Sequence, residues 1–370
     1  MVLRVLGLKE EDTYGNLKTG VTEPDIYTRL SDGSFKLGDE AITYNDGSRM
    51  VQGARAGAIK PSGSTSFKLD LKRMAYYLKA FFDQYSFTAG NSGSPNIHKA
   101  WGSEGQDLTS FHAWATFDYF QKIIEGLLCE SLKFEVSDEY MTGSAEWIYK
   151  NESFDEIDQS DYNIEKAITE GAIPLMFYDV NIELNNSALN GVVFTSFSFE
   201  GKNNLNQDAT IGLGSRAPQR KARAQAREIT MSIASYMSGE SDFLNLLKLG
   251  EYGAVQTTPS GCSIGNVPLR VDINVCEDTA ESMVMFFPKA TINVEYSASE
   301  SDEMEVTFNL TSLGTGDMSA FTAHSGETLP TLQDSDGNNI KTDCFCYLLS
   351  NTPEITKNVI EEDDDEDDEP

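Results

Sequence analysis

Histidine and cysteine are the residues of this chain best suited to catalysis or to binding a metal ion. The sequence contains three histidines and five cysteines: His98, His112, His324, Cys129, Cys262, Cys276, Cys344 and Cys346. The chain has no C-x-x-C pair and none of the motifs G-x-S-x-G, H-E-x-x-H or G-x-x-x-x-G-K-[ST]. We therefore predict no catalytic residue, no metal site and no cofactor. We also expect the cysteines to be reduced thiols, in a chain that is synthesised in a cytoplasm. A hydrolase that uses a pair of carboxylates is an alternative that the sequence does not exclude, because 59 acidic residues form too many pairs to single one out.

Two segments that begin with Gly-Ser-Arg carry clustered basic residues. The first reads "GSRMVQGARAG" from Gly47, and the second reads "GSRAPQRKARA" from Gly214, nearly half the chain length later. Neither segment has the interleaved aromatic residues that stack on bases, so a nucleic-acid site is disfavoured. A basic loop on an acidic body can instead dock on the acidic surface of a neighbouring molecule, with a simple solvated loop as the alternative.

Length and charge limit what kind of protein this is. A chain of 370 residues is long enough for two domains. Its net charge of −31 repels nucleic acids and anionic membranes. The N-terminus turns charged too early for a secretion signal, and no apolar run is long enough to span a bilayer.

The elements that would position these loops are mostly β-strands. Apolar and polar residues alternate in six segments, as expected for antiparallel strands packed on one side. These segments are "FKLDL", "LKFEV", "YDVNIEL", "LRVDINV", "TINVEY" and "EVTFNL".

Helical periodicity is confined to three short segments. One follows Leu71 in "KRMAYYLKAFF", and a second is "SDFLNLLKLG", with Ser241 as a cap and Gly250 as its end. A third candidate, "SDYNIEKAITEG", lies where two halves of the chain would join.

The two halves share one order of predicted elements. Each runs from a strand through the Gly-Ser-Arg loop to a second strand, a short helix and further strands. Such a repeat is better explained by duplication than by coincidence.

This order of segments resembles the tail tube proteins of long-tailed bacterial and archaeal viruses. The resemblance rests on "GARAGAIKPSGSTSFKLDLKRMAYYLKAFF", "LLCESLKFEVSDEYMTGSAEWIY", "IPLMFYDVNIELNNSALNGVVFTSFSFEG" and "SDFLNLLKLG". It covers roughly residues 21–314 and is most similar to members with two fused tube domains.

The resemblance implies a mainly β (α+β) fold of two tandem β-sandwich or barrel domains, each with a short flanking helix. We expect the first domain at residues 1–170, the second at 171–352, and an acidic, disordered tail at 353–370.

The implied function is a structural virion protein without enzyme activity. Three chains would form a ring of pseudo-six-fold symmetry, and stacked rings would form the tube through which the genome is ejected. The expected partners are other copies, other tail proteins at the tube ends, and viral DNA that passes without specific binding; no membrane is involved. The expected location is the virion tail, after assembly in the host cytoplasm. Alternatives are another tail or injection-machine component, such as a terminator or a contractile-tail inner tube, and a β-sandwich adhesin or carbohydrate-binding protein.

The basic loops are the predicted ring-stacking site, because loops this long in compact domains are usually functional or disordered. We expect them to project along the tube axis and to gain order only against the next ring. The residues assigned to this role are Gly47, Ser48, Arg49, Arg55, Gly214, Ser215, Arg216, Arg220 and Arg223.

Overall fold

A computed structural model provides the structure of this chain. It describes residues 3–17, 21–44, 53–91, 94–117, 120–136, 139–156, 173–185, 187–188, 192–236, 241–252, 265–275, 281–297, 304–323 and 339–355, with positions 329, 332, 333 and 337. The third predicted helix, His324, Cys262, Cys276 and the acidic tail beyond Ile355 lie outside the described residues.

The described chain is mainly β, as predicted, with two α-helices. The helices are α1 (Leu71–Phe81) and α2 (Ser241–Tyr252). The strands of the first half are β1 (Leu3–Glu10), β2 (Ile26–Arg29), β3 (Asp32–Lys36), β4 (Asp39–Tyr44), β5 (Gly53–Ile59), β6 (Ser62–Lys68), β7 (Gln84–Thr88), β8 (Asn96–Trp101), β9 (Phe111–Phe117), β10 (Phe120–Val136), β11 (Thr142–Ile148) and β12 (Asn151–Glu156). Those of the second half are β13 (Val180–Leu184), β14 (Ser187–Ala188), β15 (Phe194–Lys202), β16 (Glu228–Tyr236), β17 (Asn266–Asn274), β18 (Ser282–Ser297), β19 (Glu305–Ser312) and β20 (Phe345–Ser350).

Strand pairing follows the same order in both halves. The first half pairs β2–β1–β9–β10–β11–β6–β3, and the second pairs β14–β13–β17–β18–β19–β16–β15, with every pairing antiparallel. In each half the strand at the sixth place, β6 or β16, leads into the helix. The Gly-Ser-Arg segments occupy equivalent connections, between β3 and β6 and between β15 and β16.

One long strand in each half carries the chain around a corner between two layers. In β10 a register shift interrupts the β9 pairing between Ile124 and Leu127, and in β18 the β17 pairing shifts opposite Phe287 and Ala290. Gly126 lies in the β10 shift at φ 67°, a left-handed backbone conformation that glycine adopts without steric penalty. A Cβ there would come within 2.7 Å of the Tyr14 ring.

The halves are joined by two sets of strand pairs. The C-terminal part of β10 pairs with β15 from Ser131↔Lys202 to Val136↔Phe197. The C-terminal strand β20 pairs on one side with β18 and on the other with β8, which pairs with β7. One hydrophobic core therefore contains buried residues from both halves.

Helix α1 is fixed by burial and by a cap. Asp70 accepts a hydrogen bond from the Arg73 amide (3.0 Å) and pairs with its guanidinium (2.6 Å), which satisfies an otherwise unpaired first-turn donor. Ten of its eleven residues are buried, so α1 is a core helix rather than a surface helix. Helix α2 packs through Phe243, whose ring meets Phe308 edge-on at 5.6 Å.

Candidate functional site

One continuous sheet of eight strands crosses both halves of the chain. Its order is β3–β6–β11–β10–β15–β16–β19–β18, with β10 and β18 contributing their C-terminal parts. We call it the eight-strand sheet. Alternation gives it two faces, as in β11, where exposed Glu146 lies between buried Ala145 and Trp147.

One face of the eight-strand sheet packs on the core. Phe199 lies near its centre, stacked on Phe134 with ring centroids 5.1 Å apart and planes at 17°. Phe81 of α1 packs against the same strand, where a Cβ on Gly201 would come within 2.3 Å of its ring. Helix α2 also lies on this side, since its Phe243 meets Phe308 of β19.

The opposite face, which we call the polar face, is dominated by short hydroxyl and amide side chains. These are Ser34, Ser62, Ser64, Ser66, Thr142, Ser144, Ser196, Ser198, Thr230, Ser232, Thr291, Asn293, Thr307, Asn309 and Thr311. Its charged side chains are seven carboxylates and four ammonium groups: Asp32, Glu135, Glu146, Glu200, Glu228, Glu295, Glu305, Lys36, Lys68, Lys133 and Lys202. The polar face therefore carries an excess of negative charge.

The two ends of the eight-strand sheet each present a strand edge. Among the described residues, β3 pairs with β6 alone, and β18 from Asn293 onward pairs with β19 alone. The Phe35 carbonyl of β3 accepts a hydrogen bond from the Lys122 ammonium (3.0 Å). Edges of this kind invite pairing with another strand.

The second Gly-Ser-Arg loop, residues 214–227, is bound to its own chain. The Arg216 guanidinium donates to the Gly57 carbonyl (2.9 Å), and the Ile59 amide donates to the Arg216 carbonyl (2.7 Å). Arg220 donates to the Ala209 carbonyl (2.6 Å). The expectation that this loop gains order only against another ring does not fit these contacts, because backbone carbonyls within the chain already accept hydrogen bonds from Arg216 and Arg220.

The first loop is described only in part. Gly47, Ser48 and Arg49 lie outside the described residues, whereas Arg55 is exposed in β5. In the second loop, Gly214 has φ 88° and the Ser215 hydroxyl donates to the Ala217 carbonyl (3.0 Å). Since Arg216 contacts Gly57 and Ile59, the structure brings the two basic segments together. Arg223 is exposed.

Arg227 closes the second loop with a buried ion-pair cluster. Its guanidinium contacts Asp343 (2.7 Å) and Asp83 (3.0 Å), and all three side chains are almost fully buried. Burial alone would raise the pKa of Asp83, but hydrogen bonds from Ser103 and the charge of Arg227 outweigh it and hold that pKa below its ordinary value. This cluster, which the sequence patterns did not reveal, ties together the end of α1, the second loop and the C-terminal segment.

The described histidines belong to the packed interior. His98 hydrogen-bonds Tyr85 (2.6 Å) and the Thr352 carbonyl (3.1 Å), and burial lowers its pKa to about 4. His112 lies against Trp114, and burial lowers its pKa to about 4 as well. Both imidazoles are therefore neutral at pH 7.

The described cysteines are also interior groups. Cys129, Cys344 and Cys346 are free and buried, and burial raises the pKa of the Cys129 and Cys344 thiols. No group of three potential metal ligands occurs within the described ranges. In the same part of the chain, no helix has the length and apolar character required to cross a membrane.

Comparison with known proteins identifies the family of this chain. A family model described as phage tail tube protein matches residues 2–298. A search of curated proteins finds no significant match. The matched range includes both halves of the repeated pairing order up to Ser297 of β18.

Proposed function

Because this chain belongs to the phage tail tube protein family, we propose that it forms rings that stack into a viral tail tube, through which the genome is ejected. Membership of the family makes it a structural protein of the virion tail that assembles with itself and contacts other tail proteins. The observation that carries the ring proposal is the eight-strand sheet, which ends in two strand edges. A repeated head-to-tail contact between such ends either closes into a ring or extends into a filament.

The proposed ring contains three chains with two tube domains each. The domains are residues 1–170 and 171–352, related by duplication and followed by the acidic tail 353–370. Support comes from the identical pairing order of the halves, which a pair of unrelated folds would not share. Three such chains give pseudo-six-fold symmetry.

The strand count supports three chains per ring. Twenty-four strands spaced ~4.8 Å apart and tilted by ~40° give a barrel about 48 Å across between opposite backbones. Side chains extending ~5 Å from each wall leave a channel about 38 Å wide. The same estimate for two chains leaves only about 22 Å, which is tight for a hydrated DNA duplex.

The polar face is proposed to line this channel. Both helices pack on the opposite face, so in a closed barrel they would lie at the larger radius, outside the sheet. On this face seven carboxylates outnumber four ammonium groups, so the net charge repels DNA phosphates and the duplex passes without being held. No catalytic step is part of this role.

Stacking of rings is proposed to use the exposed arginines of the basic segments. Arg55 and Arg223 are exposed and can pair with carboxylates of the next ring. Arg216 and Arg220 are also exposed and are proposed to take part in the same contacts, together with Gly214 and Ser215. Gly47, Ser48 and Arg49 remain part of the prediction.

Negative-stain microscopy and light scattering of the purified protein test the assembly proposal. Rings or stacked tubes that grow with protein concentration are the expected result. Monodisperse monomers at high concentration would contradict it.

A further inference from the structure

We propose that β3 of one chain pairs antiparallel with the C-terminal part of β18 in a second copy, with Lys36 opposite Glu295. This inference rests on the proposed ring and specifies the contact that closes it. The template is the seam inside the chain, where β10 pairs with β15. In the repeated pairing order β18 is the counterpart of β10, and β3 is the counterpart of β15.

The register of the proposed seam follows from matching rows of paired residues. One row of the first half runs Cys129–Trp147–Gly63–Phe35 across four strands. Its counterpart in the second half runs Ile292–Leu310–Met231–Phe199. The two rows lie at the same distance from the register shift in their long strand. Leu127 and Ala290 are the first residues paired beyond that shift, and Cys129 and Ile292 each follow two residues later.

This match makes Phe35 the counterpart of Phe199. By the same rows, Tyr296 is the counterpart of Phe134, because Phe134 pairs with Gly143 and Tyr296 pairs with Val306. Phe199 pairs with Phe134 in the internal seam. Phe35 therefore pairs with Tyr296 between chains, and an aromatic residue stands on each side in both seams.

Charge supplies an independent check on this register. Lys133 stands opposite Glu200 in the internal seam. The counterparts are Glu295 and Lys36, so both charges are reversed and the opposite-charge pairing is kept. Cross-strand pairs of opposite charge stabilise a sheet, whereas like charges at these positions destabilise it.

Exposure is consistent with a missing neighbour. Lys36 and Glu295 are exposed on the polar face, and Leu37, which would face Val294, is 36% exposed. In the internal seam the corresponding residues, Gly201 and Leu132, are buried. Pairing with a second copy would cover Leu37 and extend the sheet without a break.

Cysteine cross-linking tests the partner and the register together. The variant carries Lys36→Cys and Glu295→Cys, which places the two Cβ atoms within the reach of a disulfide only in the proposed register. The matched control carries Lys36→Cys and Asn293→Cys, two residues away on the same face. Mild oxidation of assembled protein should convert the first variant to covalent oligomers ending at a trimer, and the control should stay largely monomeric on a denaturing gel.

Charge reversal gives a second readout that does not depend on disulfide geometry. Lys36→Glu alone and Glu295→Lys alone should lose rings at a concentration at which the wild type is fully assembled. The double exchange should regain them. Circular dichroism checks that each variant is folded.

The outcomes separate the two proposals. If the wild type forms rings but the paired cysteines do not cross-link, or the control cross-links equally well, the proposed seam is wrong and the ring proposal stands. If another tail protein rather than a second copy is captured by the cysteines, the seam is likewise wrong. If the wild type stays monomeric, the ring proposal fails and the seam fails with it.

Discussion

Replacement of Arg227 by glutamine should destabilise the chain by removing the only cation that contacts both Asp83 and Asp343 in the described structure. Side-chain exposures are 9% for Arg227, 1% for Asp83 and 13% for Asp343. Loss of one partner of a buried ion pair costs about 3–5 kcal/mol, because it leaves a charge that is neither solvated nor paired.

This cost corresponds to a measurable shift in melting temperature. With about 2.1 cal/mol/K of unfolding entropy per residue, a loss of ~4 kcal/mol over the whole chain lowers Tm by roughly 5 °C. Differential scanning calorimetry measures the shift. Lys202→Gln is the matched control, since Lys202 pairs with Glu200 at the surface and its loss costs about 1 kcal/mol or less.

The pH dependence of the Arg227→Gln effect gives a sharper test. In the wild type the pKa of Asp83 is lower in the folded than in the unfolded state. The resulting stability is fully present at a pH above the unfolded-state pKa and is lost as the pH falls through the folded-state pKa. Without Arg227, burial raises the pKa of Asp83, so the carboxyl takes up a proton more readily. The deficit should therefore shrink between pH 7 and pH 4. A deficit below 1 kcal/mol, or one that stays constant with pH, would refute the reasoning.

Three further predictions follow from the described surfaces and core. Arg55→Glu with Arg223→Glu should weaken ring stacking in a salt-sensitive way while single rings persist, and sedimentation in a salt series measures this; unchanged tube length would contradict a stacking role. Glu135→Lys with Glu146→Lys should make assembled tubes retain duplex DNA at low salt and release it at high salt in a filter-binding assay, and a lack of retention would argue against a channel-lining polar face. His98→Gln should reduce the decrease in unfolding free energy between pH 6.5 and pH 4. The reason is that burial lowers the pKa of His98 to about 4, so in this pH range the unfolded state binds a proton that the folded state does not. Denaturant titrations at several pH values measure this, and an unchanged dependence of the unfolding free energy on pH would contradict that cause.

The alternating patterns predicted strands well where one face meets polar surroundings. All six predicted segments overlap observed strands, for example "EVTFNL" with β19 (Glu305–Ser312). The strand prediction was incomplete where a long strand bends between two parts of the sheet. Only "LKFEV" was identified in β10 (Phe120–Val136), because both sides of the strand are buried around Gly126 and the alternation is lost.

The ends of the helices and the pairing of strands distant in sequence were harder to predict from the sequence. Helix α2 begins at Ser241 and continues past Gly250 to Tyr252, so the predicted end was too early. The polar face could be read as alternating polar positions, but nothing local indicates that strands of both halves form one sheet. The pairing of β20 with β8, and the contact of Arg227 with Asp83 and Asp343, likewise depend on residues distant in sequence.

Electron microscopy of assembled wild-type protein, with class averages viewed along the ring axis, tests the central claim most directly. The account predicts three-fold rings with six similar lobes around an open channel, each ring containing three chains. Open arcs, two-fold particles, or rings whose strands do not run continuously between neighbouring chains would contradict it.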